Sequence, residues 1–405
     1  MIPDPTTLDR LCRSDTQSYI RSHTHDDPAS VALRCAGING IPPSVLATQI
    51  ACRAKALRKL PSLSALPLLY DALSLEQCSS EACAGYKSTL IEGNVCIDLT
   101  GGMGIDTLFF ARHFNRVHYC ERDGGRVALF ERNARCAGLS SIRIHQGDSM
   151  ALLAAINEPV IDLLYADPSR RSARGGRIHS LAGSVPDIVS RWGSLLERTR
   201  HLMVKCSPLW DADEAARTLP ALARCIYVSC AGECRELLLL ATCTATHPTR
   251  ICAAVATAQG GWVELEREAG SVPPAERDIA PVTPGWYLFD PDPALRAGRL
   301  EAAAAQHWNL SPVNRYYHYL TAPAPISSFA GRVLRIIDSA PFHRRKTGVW
   351  LKGHGVSGAT ICARGGAGSS EHYRSLLGIG ESARVYLVLV RTTSRTPLCA
   401  LCVRE

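Results

Sequence analysis

A run of short β-branched segments alternating with helical stretches begins near residue 89, and no other feature constrains the fold of this chain so tightly. The segments are NVCIDL, RVHYCE, SIRIHQ, VIDLLYAD and HLMVKC, and helical periodicity fills the stretches around 104–113, 124–138, 148–157 and 185–199. Parallel neighbours need a crossover of this length between them, so the alternation predicts an α/β, doubly wound sheet covered on both faces. RCIYVS and ELLLLATC come next, separated only by Cys230 to Cys234 with Arg235 leading into the second run. So short a connection cannot cross over a sheet, and these two strands are expected to pair antiparallel. ICAAVAT and GWVELERE, around Gly260 and Gly261, extend that edge.

On either side the pattern differs. Residues 1–88 carry apolar residues at helical spacing, broken by Pro28, Pro42, Pro43, Pro61 and Pro67, and read as a helical N-terminal region. The α/β domain spans 89–270, the proline-rich stretch 271–285 reads as a linker, and a second globular unit opens at YLFDPDP and closes as a small α+β domain. At 405 residues and 46% hydrophobic content the chain can bury two or three cores. The opening residues are polar and no apolar run is long enough to span a bilayer, so we expect a cytoplasmic protein with no membrane association. The 17 cysteines are scattered, and the close pairs Cys230/Cys234 and Cys399/Cys402 lack a second pair at zinc-finger spacing; reduced thiols and no metal are expected.

The candidate site begins at Asp98-Leu99-Thr100-Gly101-Gly102-Met103-Gly104, directly after the first strand and before a helix that carries Asp106 in its first turn. Glycines allow a sharp turn and close backbone approach to a ligand. Acids recur at the ends of the next strands: Glu121, Asp148 and Asp167. Ligands of open α/β sheets bind outside the carboxyl ends of the strands, which would bring these acids to one crevice. Glu121 follows Gly104 by 17 residues, the interval at which a carboxylate accepts both ribose hydroxyls, and Asp148 is placed to accept an adenine amine. Asp148 also reads as a helix N-cap. A nicotinamide cofactor is disfavoured because Thr107 replaces the third glycine of GxGxxG, and a sulfonium cofactor better explains the extra acids at Asp98 and Asp167.

VCIDLTGGMGIDT resembles motif I of class I S-adenosylmethionine-dependent methyltransferases, with Thr100 where many members have the first glycine. DPSRR, VKCSPLWD, GECRELLLL and FAGRVLRII are similar to a bacterial family that joins this domain to a ferredoxin-like insert and a C-terminal THUMP-like domain. The resemblance implies a Rossmann-like methyltransferase sheet, a ferredoxin-like segment at 286–325 and a THUMP-like α+β domain at 326–405. It implies S-adenosyl-L-methionine as cofactor, held by Asp98, Thr100, Gly101, Gly102, Gly104, Asp106, Glu121 and Asp148. It also implies structured RNA, tRNA or ribosomal RNA, as substrate, because THUMP domains dock tRNA. The glycine loop is similar, too, to a bacterial ribosomal RNA guanine N2-methyltransferase family.

At the fourth strand, amino-methyltransferases carry an Asp or Asn followed by two prolines and an aromatic residue. Here Asp167 and Pro168 remain, while Ser169 and Arg170 take the other places. Asp167, Pro168 and Arg170 are the candidate reaction centre, with Asp167 orienting an amine or helping to hold the cofactor and Arg170 or Arg171 pairing with a phosphate or a carboxylate. Arg171, Arg174 and Lys205, and the distant cluster of Arg344, Arg345 and Lys346, are candidate substrate contacts within a formal charge of +8. Methylation of a protein or small molecule, and a non-catalytic RNA-binding module that retains the cofactor fold, are the alternatives. The oligomeric state, the methylated atom and the role of the N-terminal helices are left open.

Overall fold

The computed structural model describes residues 2–34, 37–169, 183–244, 247–271, 278–364, 367–391 and 396–404. Two compact units divide the chain: 1–210, 215–224 and 237–247 form the first, and 211–214, 225–236 and 248–405 the second.

In the first unit, strands β1 (Gly93–Asp98), β2 (Phe114–Glu121), β3 (Ile142–Gln146), β4 (Leu163–Ala166) and β5 (His201–Cys206) are parallel. Strands β6 (Leu222–Cys230) and β7 (Glu233–Thr242) follow, and the hydrogen-bonded order is β3-β2-β1-β4-β5-β7-β6. β7 runs antiparallel to β5, with Met203 opposite Leu240. Only Ala231 and Gly232 join β6 to β7, with φ of 54° and 75°. Two consecutive positive φ values make the turn whose twist matches a hairpin. β4 and the centre of β1 are buried, as a sheet covered on both faces requires.

Helix Gly124–Cys136 covers one face and also receives the N-terminal helices. Leu8, Leu11, Ile20, Leu46 and Ile50 share a core with Leu129. Asn133 brackets the Leu69 backbone, accepting from its amide at 2.8 Å and donating to its carbonyl at 2.9 Å. The helix expected over 185–199 is shorter, Trp192–Leu196 among the described residues, because Pro186 lacks an amide donor and biases its predecessor away from helical geometry.

The second unit contains β8 (Arg250–Ala256), paired antiparallel with β9 (Trp262–Glu268). A further seven strands are β10 (Tyr287–Pro291), β11 (Ser311–Pro312), β12 (Leu320–Ala322), β13 (Gly331–Pro341), β14 (Thr360–Arg364), β15 (Val385–Val390) and β16 (Leu398–Val403). They make one sheet in the order β11-β12-β10-β13-β16-β15-β14, so segments 286–325 and 326–405 share a sheet. Side chains alternate across it: Leu334, Ile336, Val388 and Cys402 enter one core, while Leu387, Leu389, Cys399 and Leu401 enter another beside helices Lys346–Gly353 and Ser370–Leu377. The end of the proline-rich stretch packs here as well, with Val282 buried and the Gly285 amide donating to the Ile336 carbonyl at 2.8 Å. Among the described residues no helix is long and apolar enough to cross a membrane.

Candidate functional site

The parallel register carries the acids to one end of the sheet. Asp98 lies opposite Tyr119 on one side and Tyr165 on the other, so Glu121 and Asp167 each stand two residues further along a neighbouring strand. The loop after β1 is then pinned to both neighbours. The Leu99 amide donates to the Tyr165 carbonyl and the Gly101 amide to the Cys120 carbonyl, each at 2.9 Å.

Packing explains two of the three glycines. Tyr119 and Phe130 stack with centroids 4.0 Å apart and an interplanar angle of 16°. A Cβ on Gly101 would enter the Tyr119 ring, and one on Gly104 the Phe130 ring; Gly104 also holds φ at +79°. The loop therefore rests on an aromatic stack that no side chain could share. Gly102, with φ of +55°, would meet nothing closer than the Thr100 carbonyl at 3.6 Å, so the space beside it is open, while its amide donates to Glu121 and its carbonyl accepts from Tyr119 Oη at 2.7 Å.

Thr100, at the position where a first glycine is common, ties the site together. Its amide donates to Asp98 Oδ1 at 2.9 Å, and its hydroxyl accepts the Asp167 amide at 2.6 Å. Thr107, in place of the third glycine, donates its hydroxyl to Asp98 Oδ2 at 2.6 Å. Asp98 is buried with both oxygens engaged by the loop, and burial pushes its carboxyl up to about 7 against the hydrogen bonds of Thr107 and Thr100. A carboxyl that holds its proton more tightly when folded than when unfolded loses folding free energy as pH rises between its ordinary value and its folded one. Relative to Asp98→Asn, the wild-type protein is expected to lose stability from pH 5 to pH 8, which urea titrations of the two proteins at both pH values would measure.

Glu121 is buried, with Oε2 accepting the Gly102 amide and Oε1 the Asp123 amide, each at 2.9 Å. Asp148 is exposed and caps helix Ser149–Ala155 through Oδ1, bonded to the amides of Met150 at 3.0 Å and Ala151 at 3.1 Å. Its Oδ2 accepts no bond among the described residues. The N-cap and ligand readings of Asp148 are thus compatible.

Asp167 follows β4 with its side chain 31% exposed, and its Oδ2 lies 2.5 Å from Lys205 Nζ at the end of β5. Pro168 is buried, and Ser169 exchanges backbone hydrogen bonds with Val185. Arg170, Arg171 and Arg174 lie outside the described residues. Arg344, Arg345 and Lys346 are exposed in the second unit, at the start of helix Lys346–Gly353.

Asp106 faces the N-terminal helices. It pairs with Lys87 at 3.1 Å and accepts from Tyr165 Oη at 2.7 Å and Ser79 Oγ at 3.0 Å, while Lys87 donates to Ser79 Oγ at 2.7 Å. Burial alone would raise its carboxyl, but Lys87, Lys205 and the Tyr165 hydroxyl together hold it below the usual value. Lys87 and Ser79 were not legible as site residues. A lysine within a predicted helix reads as a solvent-facing group, and only its full burial here shows otherwise.

Residues 331–404 match a family described as THUMP domain-like, and residues 93–170 match one described as RNA cap guanine-N2 methyltransferase. The chain carries a methyltransferase fold and a C-terminal THUMP-like domain. Its fold is similar to that of a candidate methyltransferase from Porphyromonas gingivalis W83, over 100% of both chains at 23% identity with a TM-score of 0.82. Smaller solved structures overlap part of it. A candidate methyltransferase from Streptococcus mutans, in complex with SAH, aligns at 12% identity over 40% of this chain and 96% of that one, with a TM-score of 0.30. A human methyltransferase 10 domain containing protein aligns at 16% identity over 48% of this chain and 97% of that one, with a TM-score of 0.35. No curated protein matches the chain.

Proposed function

We propose that this chain is a cytoplasmic S-adenosylmethionine-dependent methyltransferase acting on structured RNA, tRNA or ribosomal RNA. The reading rests chiefly on the linked line of Glu121, Gly102, Thr100, Asp167 and Lys205 across the carboxyl ends of β2, β1, β4 and β5. The residues fit the cofactor. Each Glu121 oxygen accepts one amide and keeps a lone pair for a hydroxyl, Asp148 keeps Oδ2 for an amine, and no side chain crowds the space beside Gly102. When bound, the cofactor supplies an activated methyl group.

What remains for the protein is positioning and exclusion of water. Asp167 Oδ1, which accepts no bond among the described residues, would take an N–H of the target amine and aim its lone pair. Lys205 holds the other oxygen, so the carboxylate has one orientation. The expected Arg170, Arg171 and Arg174 would grip RNA phosphates near the reaction centre, and Arg344, Arg345 and Lys346 would do so from the THUMP-like domain. This assigns methyl transfer to 89–270 and RNA capture to 326–405, with 271–285 as linker and 286–325 as the ferredoxin-like segment.

Glu121→Ala removes the ribose acceptor and releases the Gly102 amide, and is expected to weaken S-adenosylhomocysteine binding about 10- to 100-fold, measured by calorimetry. Absence of any uptake by folded wild-type protein would sink the proposal.

A further inference from the structure

We infer that His118 staples shut the segment that carries Asp148, and that protonation of both His118 and His145 opens it, so that acid weakens cofactor binding. The inference rests on the cofactor reading above. Asp148 caps helix Ser149–Ala155, which at seven residues is too short to hold itself. The chain enters this helix from His145 on β3 and leaves it through Glu158. His118, on β2, meets both ends of that segment. Its Nδ1 lies 2.9 Å from His145 Nε2 and its Nε2 lies 3.0 Å from Glu158 Oε1, with the two imidazole planes 14° apart. Arg116 fixes Glu158 in turn, donating to Oε1 at 2.8 Å and to Oε2 at 2.7 Å.

Protons decide whether the staple holds. An ionised Glu158 only accepts, so His118 Nε2 carries a hydrogen. In a neutral ring Nδ1 is then an acceptor, and His145 Nε2 donates to it. One further proton is tolerated, because His118 then donates from both nitrogens and His145 Nε2 accepts. A second puts a hydrogen on each of two nitrogens that face one another at 2.9 Å, and the bond becomes a repulsion between two cations.

The surroundings set that event on the acid side. His118 is buried; burial, His145 and Arg143 push it below its ordinary value against the pull of Glu158. Burial and Arg143 do the same to His145. Burial alone would raise the Glu158 carboxyl, but the hydrogen bonds of Arg116 and His118 hold it below its usual value, so it stays ionised. Cys120, opposite His145 in register, is a thiol that burial pushes up to about 12, and it carries no charge. Helix Ser149–Ala155 brings no titratable side chain, and Arg198 reaches its far end, donating to the Leu153 carbonyl at 3.3 Å. A histidine that binds its proton less tightly when folded than when unfolded loses folding free energy as pH falls below about 6.5. Here the loss falls on the brace of the Asp148 segment.

The test measures S-adenosylhomocysteine binding to the full chain by calorimetry at pH 7.5 and pH 5.5. Wild-type protein is expected to weaken about tenfold over that interval. His145→Gln presents either an N–H or an oxygen to His118, so it binds as wild type at pH 7.5 and weakens by no more than about twofold at pH 5.5. Asp98 titrates in both proteins and cancels in the comparison. Hydrogen exchange at pH 5.5 reads the segment directly: amides of 150–155 are expected to exchange about tenfold faster in wild type than in His145→Gln, with β1 amides equal. If wild-type protein binds no S-adenosylhomocysteine at pH 7.5, the cofactor reading falls, and the exchange comparison alone decides the staple. If both proteins bind and lose affinity equally with acid, or if the helix amides exchange at one rate in both, the staple is overturned.

Discussion

Asp167→Ala is expected to lower methyl transfer about 100-fold or more while leaving cofactor affinity within about threefold. The asymmetry follows from connectivity. The Asp167 side chain bonds Lys205, whereas Glu121 and Gly102, the proposed ribose and backbone contacts, are held by other groups. The Asp167 amide that reaches Thr100 survives any substitution except proline, so the loop keeps its anchor. One confounding effect is that Lys205, only 9% exposed, loses its ion pair with Asp167 in the alanine variant. Asp167→Asn separates the two: it keeps an acceptor oxygen and the same shape while discarding the charge. If positioning is the role, Asn retains much more turnover than Ala. Single-turnover transfer of a labelled methyl group to RNA from cells lacking the protein provides the readout. Full turnover by the alanine variant would remove Asp167 from the reaction centre.

Lys87→Met is expected to destabilise the first unit by about 3 kcal/mol, near the lower end of the cost of breaking a buried pair, because Asp106 loses its contacting counter-charge but keeps the field of Lys205. Lys87 is completely buried, and its ammonium lies 3.1 Å from Asp106 Oδ1. Tyr165 and Ser79 would still donate to Asp106 without carrying charge, and Lys205 would still act on it electrostatically. Lys87→Met combined with Asp106→Asn should recover most of the loss, because a buried pair replaced by neutral groups is often nearly isoenergetic. A chain with two compact units need not unfold in one step, so hydrogen exchange of the β1 and loop amides is the better measure than a single melting temperature. If the double variant is as unstable as Lys87→Met, the charge argument fails and packing of the lysine stem is responsible.

The two residues differ in how far they could be foreseen. Asp167 was visible because strand ends and turn chemistry are local: a β-branched run ends, an acid follows, and topology places it at the ligand-binding edge. The hairpin was visible for the same reason, since a connection as short as Cys230 to Cys234 cannot make a crossover, and the structure narrows the turn to Ala231 and Gly232. The glycine loop was legible as a loop, but not the reason for its glycines. Gly101 and Gly104 answer to the Tyr119–Phe130 stack, whose members lie on β2 and on the helix after it.

Periodicity and turn residues, then, were enough to set the order of the elements and the end of the sheet where Glu121 and Asp167 stand, because each depends on a few neighbouring residues and on the side-chain repeat of strand or helix. Partner choice was not set at that level. That Thr100 would hold Asp167, that Lys205 would face it, and that Lys87 would turn inward to Asp106 depend on pairs 67, 38 and 19 positions apart. Burial makes a charge choose a partner, and burial exists only once the layers have packed.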